Sequence, residues 1–139
     1  MNWLPWALLS AAFAGATAVL AKSGVENVDS NLATAVRTTV VLVFTWGMAL
    51  VTSPPSAVAG LPRRTWLFLV LSGLATGLSW LCYFRALKLG PVAKVAPVDK
   101  LSVVFVLVFA ASFLGEPLTW RTGLGAVLIT AGAVVLAWR

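Results

Sequence analysis

Of the 139 residues, 60% are hydrophobic and 10% charged, a balance that leaves a water-soluble domain of this size without a solvating surface. The net charge of +6 does not point to nucleic acid, because the ten Lys and Arg residues lie scattered between apolar runs and build no basic stripe. One cysteine, Cys82, and no histidine exclude an intrachain disulfide and leave no metal-ligand spacing, so neither metal nor cofactor is expected.

The remaining solvent is a bilayer, whose hydrocarbon core of about 30 Å takes about twenty apolar residues to cross as a helix. Five segments meet that length: Trp3 to Ala21, Leu32 to Val51, Trp66 to Leu87, Val92 to Leu114, and Leu118 to Trp138. The first has no Lys or Arg before it and is longer than a signal core, so it reads as a retained helix. After it, Ser23, Gly24, Asp29, Ser30 and Asn31 stop one helix and offer an N-cap to the next. Pro54, Pro55, Gly60 and Pro62 punctuate the second connection. Gly90-Pro91 and Gly115-Glu116-Pro117 mark tight breaks before the fourth and fifth helices, and Glu116 is expected to complement the fifth helix dipole. Trp3, Trp6, Trp66, Trp120 and Trp138 fall near segment ends, at headgroup level, whereas Trp46 and Trp80 lie deeper and are expected in packing or a cavity wall. Gly73 and Gly77 have the small-xxx-small spacing of a helix contact, within the chain or between copies. The architecture expected is all-α, integral to the membrane, with five spans in a single domain.

Charge placement within these spans is informative. If the N-terminus lies on side A, then Lys22, Arg37, Arg85, Lys88, Lys94, Asp99 and Lys100 all belong to side B. Arg37 lies roughly 8 Å into the second segment, and Asp99-Lys100 roughly 11 Å into the fourth. A charge at the bilayer centre costs about 2.5 to 3.5 kcal/mol, so these groups are expected to face protein or water. Asp99 is expected to pair with Arg37 or Lys100, leaving about one positive charge in a vestibule that would welcome an anionic solute group. Arg37 also has an alternative in snorkelling to the side B interface, and the Asp99-Lys100 pair in a purely structural role. Arg85, Lys88 and Lys94 read as solvated anchors, and Arg63 and Arg64 as loop charges. Pro97 lacks the N–H that would bond the Ala93 carbonyl and is expected to bend the fourth helix just before Asp99. Irregular backbone beside a charge at this depth is a transporter feature, and Trp80 and Tyr83 are candidates for lining the same pocket. No acid, base and nucleophile constellation suggests an enzyme, and no phosphate-binding loop suggests ATP hydrolysis.

Ala33-Thr-Ala-Val-Arg37-Thr resembles the start of the second helix in EamA-domain proteins of the drug/metabolite transporter superfamily. The stretch from Tyr83 to Pro97, then Phe113-Leu-Gly-Glu-Pro-Leu-Thr119 and the segment from Gly123 to Gly132, are similar to that family in order and spacing. The resemblance implies a multi-pass protein of a bacterial or archaeal plasma membrane that moves a small polar solute by alternating access. Typical members resemble ten-helix proteins with two inverted repeats, whereas this sequence holds one. It therefore implies assembly as a homodimer, antiparallel as in small multidrug resistance proteins. Two other functions stay open: translocation of an anionic lipid or lipid-linked headgroup, gripped by the side B cations, and service as a noncatalytic membrane subunit.

Lys and Arg bias sets orientation, and with Arg37, Lys94 and Lys100 set aside the bias is weak. Side A then carries Arg63, Arg64 and Arg121, against Lys22, Arg85, Lys88 and Arg139 on side B. Tags at both ends, read by protease or thiol accessibility in whole cells, are expected to find C-termini on both faces of the membrane. Every C-terminus on one face would reject the antiparallel arrangement.

Overall fold

The computed structural model describes residues 2–138, and every regular element among them is helical. The helices are α1 (Leu4–Val25), α2 (Ser30–Thr52), the short α3 (Ser56–Ala59), α4 (Arg63–Leu89), α5 (Val92–Asp99), α6 (Ser102–Phe109) and α7 (Trp120–Ala137). A π-helical turn over Ala110–Leu114 follows α6 and completes, with α5 and α6, one span over Val92–Leu114. That span and α1, α2, α4 and α7 are five helices long and apolar enough to cross a bilayer. The chain divides into two compact units, residues 21–88, and residues 1–20 with 89–139. Arg139, counted above on side B, lies outside the described residues.

In the 21–88 unit, α1 continues past its expected end at Ala21 to Val25. Val25 is fully buried, and burying a valine stabilises by about 1.5 to 3 kcal/mol, more than the roughly 1 kcal/mol that Gly24 costs inside a helix. Asp29 then caps α2, its Oδ1 accepting from the backbone N–H groups of Asn31 at 2.9 Å and Leu32 at 3.1 Å. The carbonyl of Pro62 accepts the Trp66 N–H at 3.1 Å, so α4 starts immediately after the proline. Arg63 and Arg64 consequently stand in its first turn and not in the loop, with the Arg64 guanidinium 5.8 Å from the Phe68 ring. The buried residues of this unit cluster at one end: Ala21 and Val25 of α1, Ser30 and Thr34 of α2, and Phe84 and Leu87 of α4.

In the other unit, Pro91 sits extended ahead of α5, and its carbonyl accepts from Lys94 and Val95. The α-helical ladder breaks at Lys100 and Leu101, whose N–H groups turn to the carbonyls three residues back, those of Pro97 and Val98. The ladder is thus altered just after Asp99, where the Pro97 carbonyl accepts from Lys100 in place of Leu101. The π turn ends at Gly115, which has φ +68, a left-handed conformation that costs an L-residue roughly 1 to 2 kcal/mol. The N–H groups of both Gly115 and Glu116 reach the Ala110 carbonyl. Glu116 belongs to this connection and does not cap the last helix. Thr119 does so, in a reciprocal box with Thr122: the Thr119 hydroxyl accepts the Thr122 N–H, and the Thr119 N–H reaches the Thr122 hydroxyl at 2.9 Å. α7 packs against α5 and, less extensively, against α6.

Large apolar side chains point outward on every span, as a lipid solvent requires. Threonine hydroxyls inside the spans donate to carbonyls about one turn back, as Thr34 does to Ser30 and Thr130 to Ala126, and so bring no unmet donor into lipid. A Cβ built on Gly73 or Gly77 meets nothing within 4 Å, so the expected close helix approach within the chain is not found there.

The two backbone N–H bonds, that of Leu32 first, hold the Asp29 carboxyl below its ordinary value of 3.8, aided by Lys88 and Arg85. A depressed folded-state pKa means that this stabilisation is complete above about pH 4 and is lost as pH falls through the lower folded value. In detergent, the melting temperature of Asp29→Asn, which still caps, is expected to fall less than wild type between pH 6 and pH 3, while Asp29→Ala melts lower throughout.

Candidate functional site

The 21–88 unit holds the charge that sequence placed deepest in α2. Ser30, Thr34, Arg37 and Thr38 recur at the three- and four-residue spacing of one helix face. The Thr34 and Thr38 hydroxyls donate to the carbonyls of Ser30 and Thr34, both at 2.7 Å. Across from Arg37, α4 presents Trp80 and Phe84, four residues apart and therefore one above the other. The Arg37 guanidinium carbon lies 4.3 Å from the Trp80 ring centroid and 5.5 Å from that of Phe84. Phe84 is 3% exposed, while Trp80 and Arg37 are half-buried. Tyr83, also half-buried, stands edge-on to Phe84 with centroids 6.5 Å apart and planes at 68°. Tyr83 therefore buttresses the ring system beneath Arg37.

The depth of this group follows from chain register. At the side B end, the Lys88 ammonium donates to the Val28 carbonyl at 2.7 Å, so the end of α4 is level with the start of α2. Nine positions separate Val28 from Arg37, and eight separate Lys88 from Trp80. Trp80 is therefore within about a turn of the Arg37 backbone in height. The guanidinium lies beside both Trp80 and Phe84, nearer the former, and the Arg37 backbone is roughly 10 Å inside α2.

Two further cations of this unit have a role that the sequence did not reveal. Lys22, in the last turn of α1, donates to the Leu87 carbonyl at 2.8 Å, and Lys88 does the same for Val28. Leu87 is one of the terminal carbonyls that α4 cannot bond internally, and a cation at a helix C-terminus also meets the negative end of the dipole. Lysines in the last turns of α1 and α4 were the available signal. Lys88, expected to be a solvated anchor, is thus an exposed strap between the α1–α2 loop and α4.

In the other unit, Asp99 and Lys100 form an ion pair of 3.4 Å between adjacent residues, their side chains 38% and 59% exposed. Of the two partners expected for Asp99, Lys100 is the one paired with it. The pair sits at the end of α5, where the ladder tightens after Pro97. Lys94 is half-buried one turn nearer the start of α5. Trp46, expected in packing or a cavity wall, is 46% exposed. Among the described residues, no group of three or more potential metal ligands comes together.

The model of the EamA-like transporter family matches residues 1–138. An uncharacterized transporter in the cobO 3′ region of a Sinorhizobium species is 54% identical over 136 residues, covering 98% of this chain and 96% of that protein. The probable 4-amino-4-deoxy-L-arabinose-phosphoundecaprenol flippase subunit ArnE of Enterobacter sp. (strain 638) is 31% identical over 74 residues, 53% of this chain and 69% of that one. No solved structure gives a significant match.

If the rings support Arg37, its energetic link to Trp80 is measurable. A double-mutant cycle of Arg37→Met and Trp80→Leu, read by denaturation in detergent, is expected to give a coupling of about 0.5 to 2 kcal/mol. Additive effects would show that the contact contributes nothing.

Proposed function

Because the chain belongs to the EamA-like transporter family and is a multi-pass protein of the cell membrane, we propose that it moves a small polar metabolite across that membrane as a homodimer. In this reading two copies lie antiparallel, each supplies one five-helix repeat, and the solute path alternates in access between the two faces. In one unit Asp99 and Lys100 bind the solute beside backbone that Pro97 keeps irregular; in the other, Arg37 binds it, with Trp80 and Tyr83 shaping the surroundings of the guanidinium. The solute is carried without chemical change.

The observation that carries the proposal is the Asp99-Lys100 pair at a break in the helical ladder of a membrane span. A charge pair in lipid is costly, and a hydrocarbon-facing helix gains nothing from it. A solute path does gain, because exposed charge and reorganised carbonyls give a polar molecule partners that replace water. The 96% coverage of the Sinorhizobium relative, itself called a transporter, supports a one-repeat unit as the working form.

A second reading, transfer of an anionic lipid-linked headgroup, is favoured by the similarity to a flippase subunit. A noncatalytic subunit role is favoured by the open glycine faces.

A screen of small metabolites by thermal shift, on wild type and Asp99→Asn in detergent, followed by uptake into liposomes, tests the leading reading. At least one solute is expected to raise the wild-type melting temperature and be taken up, with affinity about tenfold to a hundredfold weaker in Asp99→Asn, the loss expected for a charge-assisted hydrogen bond. Equal shifts in both proteins would overturn the assignment of Asp99.

A further inference from the structure

Among the cations with described contacts, Arg37 and Arg64 touch only rings, but Arg64 is exposed in the first turn of α4 whereas Arg37 is half-buried within α2. Rings engage the face of a guanidinium, whereas its five N–H donors lie in the plane, pointing outward as a fork. Among the described residues Arg37 has these ring contacts and neither a hydrogen bond nor an ion pair. Lys22 and Lys88 are bonded to carbonyls, and Lys100 is paired with Asp99. The carboxylates of the 21–88 unit are Glu26, exposed in the first connection, and Asp29, whose Oδ1 is committed to capping α2.

The energetics of that arrangement are one-sided. A ring under a cation stabilises it by about 0.5 to 2 kcal/mol, while an arginine costs roughly 2.5 to 3.5 kcal/mol at the bilayer centre and less at the depth of Arg37. Acceptors in the guanidinium plane would add to what the rings supply. Snorkelling would reach such acceptors at the interface, whereas the observed contacts engage the group beside Trp80 and Phe84. What fits is a ligand with two coplanar oxygens: a carboxylate or a phosphate, to which arginine donates two parallel bonds. Trp80 and Phe84 fix the fork, so little rotamer freedom remains to be lost on binding.

We propose that the Arg37 guanidinium, laid on Trp80 and Phe84, is an oxyanion site that recognises the carboxylate or phosphate group of the transported molecule. The inference rests on the transport reading and narrows its substrate to a class. The same oxyanion has two possible sources, a water-soluble anionic metabolite or the phosphate of a lipid headgroup.

The test uses the full-length protein carrying ¹⁵N-labelled arginine side chains, in nanodiscs of phosphatidylcholine, with the Arg37 Nε resonance assigned by its loss in Arg37→Lys. Inorganic phosphate and acetate are titrated separately. At least one is expected to shift the Arg37 resonance saturably while those of Arg63 and Arg64 stay in place. Binding followed by calorimetry is expected to weaken about tenfold or more in Arg37→Lys, which keeps the charge and loses the planar fork. Trp80→Leu, which leaves the arginine intact, is expected to weaken it severalfold, and serves in its own right if Arg37→Lys does not fold. A parallel preparation in discs containing phosphatidic acid separates the sources. If the lipid alone shifts the resonance, the headgroup is the ligand; if only added phosphate or acetate does so, the ligand is soluble.

An Arg37 resonance unmoved by phosphate, acetate and phosphatidic acid overturns the proposal, as does binding of equal strength in wild type, Arg37→Lys and Trp80→Leu. Either result, with solute-dependent stabilisation still sensitive to Asp99→Asn, removes the oxyanion site and leaves the transport reading standing.

Discussion

A polar group that enters hydrocarbon brings no water with it, so each donor, acceptor and charge in this protein must find its partner within the fold or in whatever enters the fold. For the backbone, helices meet the constraint. For threonine hydroxyls, the carbonyls about one turn back meet it. For the terminal carbonyl of Leu87 near the end of α4, the ammonium of Lys22 meets it. The apolar side chains are under no such demand, and most remain exposed to lipid. The interior is accordingly small and is concentrated where α1, α2 and α4 are strapped together by lysines.

Charges inside the spans are accommodated in two different ways. Asp99 and Lys100 neutralise one another across 3.4 Å and gain access to polar surroundings through exposure, at a point where α-helical bonding gives way to a tighter turn. Arg37 is supported from below by aromatic faces, which lower the cost of the charge without consuming its donors. An ion pair between neighbouring residues is satisfied within the chain itself. A ring-supported guanidinium keeps donors in its plane that the rings do not engage. In the proposed reading, the first device keeps a polar lining tolerable in lipid, and the second supplies affinity for a particular geometry.

Length, apolarity and break residues made the five spans legible, because the bilayer thickness and the chemistry of Gly and Pro act locally. Boundaries were less legible where tertiary burial decided them, as at Val25, which draws α1 past Gly24. The cap of α7 was not foreseen, since the Thr119-Thr122 box uses a threonine where a glutamate is usual. Arg37, Asp99 and Lys100 stood out because charge in a span is conspicuous in any reading. The pairing of Trp80 and Phe84 beneath Arg37 was only half visible, for helical spacing puts both rings on one face, but which helix faces them depends on register. Roles for Lys22 and Lys88 were hidden because a lysine at a helix end reads equally as a solvated anchor, a topology signal or a cap.

That ambiguity has a practical side. Lys22 and Lys88 lie among the positive charges that bias membrane orientation, and the same ammonium groups hold α1, α4 and the intervening loop together. Insertion and assembly therefore read the same two side chains at different moments, first as charge near the nascent helix ends and later as donors to specific oxygens. Neutralising them to redirect the chain would also loosen the protein that results. A shift of charge at Arg63, Arg64 or Arg121, outside these straps, separates the direction in which the chain is threaded from the firmness with which it closes.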